Sequence, residues 1–137
     1  MAEHRASCQC GQLSLVASED PDFVIVCNCI ACQKRTGSPF GTGQYFRKDV
    51  VKVSGEFKSW ARGTDTGKTL TNHFCPDCGG NLLWSLDLRP DHYGVGIGNF
   101  DTPKLTPTRV VWAEEKLTWV QFPEDWECFQ RGSQQSS

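Results

Sequence analysis

Cys75-Pro76-Asp77-Cys78-Gly79-Gly80 reads as a metal knuckle, and the fold is best approached through it. A C-x-x-C turn aims two sulfurs at one ion, and the glycine after the second cysteine accepts the positive φ that such a turn requires. The rival reading is a thioredoxin-like redox pair. That motif opens a helix in a βαβ setting, which Gly79-Gly80 followed by Leu82-Leu83-Trp84 does not offer. Two sulfurs make half of a closed tetrahedral site. Cys8-Gln9-Cys10-Gly11 supplies the natural other half, with Gly11 where the backbone must bend. A zinc ion shared by Cys8, Cys10, Cys75 and Cys78 closes a loop of 65 residues. It would staple the first strand to the middle of the chain, so much of its binding free energy becomes folding free energy.

Outward from these anchors the chain is short-stranded and punctuated by turns. Runs rich in Val, Phe, Trp, Tyr and Thr predict strands at Leu13–Ala17, Phe23–Cys27, Thr42–Phe46, Val50–Ser54 and Phe57–Arg62. Further strands are predicted at Thr69–Phe74, Leu82–Leu86, Tyr93–Ile97, Arg109–Ala113 and Thr118–Phe122. Glu19-Asp20-Pro21-Asp22 and Gly63-Thr64-Asp65-Thr66-Gly67 read as turns. Helix is expected only over Ile30–Thr36 and in a turn near Glu124–Phe129. The fold class is therefore mainly β: a zinc-stabilised complex β-sandwich of several short antiparallel sheets with one or two short helices. Its length suits one domain over 1–130, followed by a polar, disordered tail at 131–137.

A third cysteine cluster lies in Cys27-Asn28-Cys29-Ile30-Ala31-Cys32-Gln33-Lys34-Arg35-Thr36-Gly37. C-x-C-x-x-C places three sulfurs within six residues, enough to face one ion from a strand end into a short helix. Three protein ligands on a tetrahedral metal leave one position open, which separates catalytic from structural zinc. A fourth ligand from Cys128, His73, His92 or His4 would close it, and the spacing alone leaves both forms standing. An iron–sulfur cluster fits less well, because its cysteine spacings differ.

Composition narrows the partners. A formal charge of −2 gives no basic surface for nucleic acid. Four thiolates around one Zn²⁺ and three around a second would take it to about −5, further from binding phosphate backbones. The N-terminal residues lack the apolar core of a secretory signal, and no apolar run reaches the ~20 residues of a membrane span. A cytoplasmic protein is expected, and in that compartment eight cysteines suit metal better than disulfides.

With these motifs in place the chain resembles the glutathione-dependent formaldehyde-activating enzyme family. The resemblance rests on the Cys27/Cys29/Cys32 triplet flanked by Cys8-x-Cys10 and Cys75-x-x-Cys78-Gly79. It continues through Gly96-Ile97-Gly98-Asn99-Phe100-Asp101, Pro107-Thr108-Arg109-Val110-Val111-Trp112 and Glu115-Lys116-Leu117-Thr118-Trp119-Val120. It implies a β-sandwich-like fold shared with an accessory protein of Rab-type GTPases. It also implies a structural zinc on Cys8, Cys10, Cys75 and Cys78, and a catalytic zinc on Cys27, Cys29 and Cys32. The implied reaction joins glutathione and formaldehyde into S-(hydroxymethyl)glutathione, a carbon–sulfur lyase reaction run in reverse. Many relatives carry His where this chain has Asn28, which bears on substrate orientation rather than on the sulfur ligands.

The chemistry would use zinc to hold a thiol as thiolate or to polarise an aldehyde oxygen. The second, three-cysteine zinc is expected to be the more labile. Glutathione carries two carboxylates, for which Lys34 and Arg35 are the first candidates, ahead of Arg47, Lys48, Lys58 and Arg62. Trp60, Trp84 and Trp112 are candidate pocket walls, and Asp101, His92 and Tyr93 candidate proton carriers; core packing or surface roles account for the same residues. The competing functions are a non-catalytic zinc-stabilised protein-binding module and a zinc–thiol redox sensor.

Overall fold

The structure, a computed structural model, describes residues 3–132. Its strands are β1 (His4–Ser7), β2 (Ser14–Ala17), β3 (Phe23–Cys27), β4 (Gly41–Arg47), β5 (Val51–Ser54), β6 (Lys58–Gly63), β7 (Thr69–Phe74), β8 (Asn81–Leu86), β9 (Arg89–Val95), β10 (Arg109–Val111) and β11 (Glu127–Cys128). One helix, α1 (Ile30–Thr36), follows β3, and the protein is mainly β as expected. The backbone divides into two compact units. The first comprises the described residues up to Asp22 with Gln44–Lys104; the second comprises Phe23–Gly43 and the described residues from Leu105.

In the first unit β1, β2 and β5 form an antiparallel sheet, with Ala6 opposite Leu15 and Leu15 opposite Val53. Its inward residues alternate along the strands, as a half-buried sheet requires. Ala6, Leu13, Leu15, Ala17, Phe46, Leu82, Leu83, Val95 and Phe100 make one core, and Cys8 and Cys75 are part of it. The remaining strands run antiparallel as β4–β9–β8–β7–β6. Among the described strands β6 pairs on one side only, and it exposes most of its residues, with Trp60 60% accessible.

Gly94 sits between Tyr45 on β4 and Trp84 on β8. The indole lies across the bare Cα, where an added Cβ would come within 2.3 Å of the ring. From there Trp84 Nε1 donates to Tyr45 Oη at 3.0 Å, so the indole is buried with its one polar atom satisfied. On the neighbouring ladder His73 lies between Ser59 and Ser85, 2.8 and 3.0 Å from their hydroxyls, with Phe57 edge-on at 5.0 Å. Burial, helped by the charge of Lys48, holds this imidazole below its ordinary pKa.

In the second unit β10 runs parallel to both β3 and β11, so that sheet mixes parallel pairs with the expected antiparallel ones. Val24, Val26, Val110, Val111 and Val120 are its buried aliphatic residues. Phe40 meets Phe122 edge-on at 5.3 Å, and Phe122 stacks on Trp126 at 6.0 Å.

Two further expectations are revised. Thr118–Phe122 is not a strand: Val120 N–H closes a turn on the Leu117 carbonyl, and Lys116 Nζ takes the Val120 carbonyl at 2.6 Å. Residues 124–129 are a turn followed by β11, because Glu127 and Phe129 donate to the Thr108 and Val110 carbonyls beside them. β1 was not foreseen, since His-Arg-Ala-Ser carries no strand-favouring run; pairing with β2 creates it. Of the expected tail, 133–137 lies outside the described residues, while the Arg131 carbonyl accepts from Trp112 N–H at 3.0 Å.

Two outcomes are expected. Gly94→Ala should cost about 1–3 kcal/mol through overpacking against Trp84, whereas Gly63→Ala, with open space around its Cα, should change urea stability little. For His73 the depressed pKa means that the unfolded chain binds the proton more tightly. Its contribution is complete above about pH 6.5 and falls as pH drops below that. Thermal melts between pH 7.5 and 5.5 should therefore fall more steeply in the wild type than in His73→Gln; parallel curves would refute this.

Candidate metal centres

Each cysteine cluster lies wholly within one unit. In the first, Cys8 and Cys10 leave the end of β1, and Cys75 and Cys78 follow β7. Two tight turns shape the pairs: Gly11 N–H donates to Cys8 O at 3.0 Å, and Gly79 N–H to Cys75 O at 2.9 Å. Gly11 and Gly79 have φ of 85° and 76°, the left-handed values expected of glycine knuckles. The four Sγ atoms lie within 4.8 Å of one another. Cys10 Sγ is 3.7 Å from both Cys8 Sγ and Cys75 Sγ. Four sulfurs at ~2.3 Å from a tetrahedral zinc would be separated by about 3.8 Å, so this donor set fits such an ion. None of the eight cysteines is in a disulfide.

The thiolates are supported by N–H donors. Leu13, Asp77 and Gly80 N–H point at Cys8, Cys75 and Cys78 at 3.3–3.4 Å. Burial opposes ionisation of Cys75, but donors from Cys78, Gln12 and Asp77 outweigh it and bring the thiol down to about 6. Donors from Cys10 and Gly80 likewise lower Cys78. Cys10 receives a backbone donor from Gln12, yet burial and its hydrogen bonds with Cys75, Cys8 and Cys78 push it up to about 12. A cluster with some thiols easily ionised and one resisting is what close-packed sulfurs give before a cation is shared among them.

Gln12 is a contributor that sequence reasoning missed. Its Nε2 donates to Cys75 Sγ at 3.1 Å and to Glu56 O at 2.8 Å, while its Oε1 accepts Glu56 N–H at 2.7 Å. Gly55 permits this, with φ 96° and an added Cβ only 2.0 Å from the Gln12 carbonyl. The glutamine in Cys-x-Cys-Gly-Gln was visible as sequence, but nothing marked it as a brace for a sulfur 63 residues on.

In the second unit Cys27 ends β3, Cys29 caps α1 and Cys32 lies in its first turn. Their Sγ atoms also gather within 4.8 Å, and no fourth His, Cys, Asp or Glu joins them at that distance among the described residues. Of the expected fourth ligands, His4 is 2.7 Å from Asp20 and His92 2.7 Å from Asp22, while His73 lies between its two serines. Cys128 lies on β11 and is outside the group. Cys29 Sγ accepts Cys32 N–H at 3.3 Å. Hydrogen bonding to Cys29 and Cys32, together with burial, raises the Cys27 thiol strongly. Cys32 is helped towards ionisation by its bond with Cys27, but Cys29 and burial dominate and push it up to about 11, against the pull of Arg35. Three sulfurs crowded this closely, two of them held protonated by their neighbours and by burial, fit a set that a cation would share.

Asn28 between them is fully buried and faces away from the solvent. Its N–H and Nδ2 both donate to the Val111 carbonyl at 3.1 Å, and its Oδ1 has no partner among the described residues. Arg35 Nη2 lies over Gly41, 2.6 Å from where a Cβ would stand, with Cys32 Sγ 3.6 Å from the same point. The bare glycine thus lets the guanidinium lie beside Cys32. Lys34 is exposed. Arg47, Lys48, Lys58 and Arg62 belong to the first unit, where Arg47 pairs with Asp49 and Lys48 covers Tyr93. Asp101 accepts from Ser7 Oγ, and Trp84 packs on Gly94.

Trp112 is the one described non-glycine residue with positive φ, at 57°. A left-handed aromatic residue costs about 1–2 kcal/mol, which the local contacts must offset. Arg131 supplies some of them, its guanidinium 5.1 Å above the indole. No described helix is long and apolar enough to cross a membrane.

A family model described as glutathione-dependent formaldehyde-activating enzyme matches residues 3–115. Among solved structures, a Rhodobacter sphaeroides protein determined as a structural-genomics target is similar, with 21% identity and a TM-score of 0.58. The match covers 73% of this chain and 90% of that one, and shows a shared fold. Comparison with curated proteins gives no match.

Gln12→Met should loosen a metal at the four-cysteine site by roughly tenfold in competition with a chelator, leaving the three-cysteine site unchanged. Unaltered retention would show that the Gln12–Cys75 bond does not support the thiolate.

Proposed function

The chain belongs to the glutathione-dependent formaldehyde-activating enzyme family, and from that premise we propose that it catalyses reversible addition of a thiol to formaldehyde or another small aldehyde. Glutathione or a close analogue is the thiol. The sulfur of R–SH forms a bond to the carbonyl carbon, the C=O π pair moves to oxygen, and the thiol proton ends on that oxygen as R–S–CH2–OH. In the opposite direction the protein acts as a carbon–sulfur lyase.

The observation that carries this reading is the gathering of Cys27, Cys29 and Cys32 with no fourth ligand in the group among the described residues. Zinc held there would supply a positive charge that keeps an incoming thiol as thiolate at neutral pH. The chain's own residues do the rest. Cys27, half-buried at the end of β3, anchors the set from the sheet, while Cys29 and Cys32 present their sulfurs from the start of α1. Arg35, beside Cys32, is positioned to bind a substrate carboxylate, and exposed Lys34 offers a second cation at the same helix. Asn28 uses its side chain on Val111, so its replacing histidine removes no sulfur ligand. Cys8, Cys10, Cys75 and Cys78 hold a second, structural zinc. Eight cysteines free of disulfides suit the cytoplasm, where glutathione is abundant.

The test is the rate of S-(hydroxymethyl)glutathione formation with zinc-loaded protein, measured above the spontaneous reaction. A clear excess is expected, falling at least about tenfold in Cys32→Ser while circular dichroism is unchanged. An excess that survives Cys32→Ser, or no excess at all, would remove the proposed reaction. A chromophoric chelator should draw zinc from the three-cysteine site before the four-cysteine site; simultaneous release of both ions would count against an open site.

A further inference from the structure

Helix α1 carries Cys32 and is capped by Cys29, yet none of its seven residues is fully buried. A helix this short with no fully buried residue gains little from the hydrophobic effect, and isolated it would not persist in water. Hydrogen bonds fix its placement beyond that partial packing, and these converge on one segment, residues 111–115. The Val111 carbonyl takes both Asn28 donors. Glu115 Oε1 accepts the Ile30 N–H at 2.8 Å, on the residue directly after Cys29. The Glu115 carbonyl accepts Gln33 Nε2 at 3.2 Å, and the same amide donates to Asn28 O at 2.9 Å. The left-handed turn at Trp112 aims this segment: the 3₁₀ turn Ala113–Glu115 follows it, and Glu115 N–H returns to the Trp112 carbonyl at 3.0 Å.

We infer that Glu115 is a positioning residue for the three-cysteine site, fixing the Cys29–Cys32 spacing by accepting the Ile30 N–H. The inference rests on reading those cysteines as a metal site. Glu115 touches no sulfur in this role. It acts through the backbone between two ligands, so its loss frees the start of α1 while β3 and β10 keep their pairing. The strained Trp112 turn is the device that brings the carboxylate back to the loop.

The experiment follows zinc release from the fully loaded protein to a chromophoric chelator. Cys32→Ser, which should lack the fast phase, assigns that phase to the triplet. In Glu115→Ala the fast phase should quicken roughly tenfold or more with the slow phase unchanged. Glu115→Gln keeps an acceptor oxygen and should return to within about threefold of wild type. An unchanged fast phase in Glu115→Ala overturns the inference. So does equal acceleration of both phases, which would mean general destabilisation, and so does a glutamine variant as fast as alanine. A wild-type protein with no fast phase removes the metal reading and this inference together. A normal fast phase insensitive to position 115 removes the inference alone.

Discussion

Four sulfurs drawn from residues 8, 10, 75 and 78 to within 4.8 Å set the terms for the first unit. Thiolates packed this closely repel one another, and two of them, Cys8 and Cys75, sit in the hydrophobic core where water cannot screen the charge. The arrangement is tenable because N–H groups are aimed at the sulfurs and because a shared cation can take up their charge. That demand explains the left-handed glycines at 11 and 79, the close turn at Gly55 and the Gln12 amide. It also ties the end of β1 to the end of β7, two segments joined otherwise only through the sheets on either side, across 65 residues of chain.

The second unit solves a different problem with the same residue type. Its three cysteines come from consecutive turns of the chain, so gathering them needs no long-range closure. The helix that follows Cys29 has no fully buried residue. Polar contacts supplement its partial packing: the Val111 carbonyl, the Glu115 carboxylate and the Gln33 amide together define the loop from Cys27 to Cys32. Hydrogen bonds are individually modest, and a loop held by a few of them is easier to open than one held by buried side chains. A site that must exchange a ligand is better served by this construction than by a closed cage.

Local rules made the cysteine sites legible before the fold. C-x-x-C-Gly and C-x-C-Gly state their turn geometry directly, and α1 was bounded correctly because Cys29 caps it and Gly37 ends it in the left-handed region. β3 and β7 were read to the residue from strand-favouring residues bounded by turn breakers. What escaped was decided by partners distant in sequence. His-Arg-Ala-Ser becomes β1 only against β2, and Glu127–Cys128 becomes a strand because β10 offers it carbonyls. Thr118–Phe122 has strand composition but loses a carbonyl to the Lys116 ammonium. Gln12 and Glu115 were invisible as site residues for the same reason, since each matters through a contact across more than 60 residues of chain.

The one-sided strand β6 has a consequence for how copies of the protein meet. An unpaired strand edge is a template on which another chain can add, and here it carries an exposed Trp60 that would reward contact. Lys58 and Arg62 flank that tryptophan on the same strand. A second copy laid antiparallel along the edge would bring cation against cation before any backbone bond formed. The guard is electrostatic, so its reach shrinks with the Debye length: in dilute buffer the edge repels its own kind, and concentrated salt disarms it. Colloidal stability of this protein is thus coupled to ionic strength through six residues remote in sequence from every cysteine ligand but those of the knuckle.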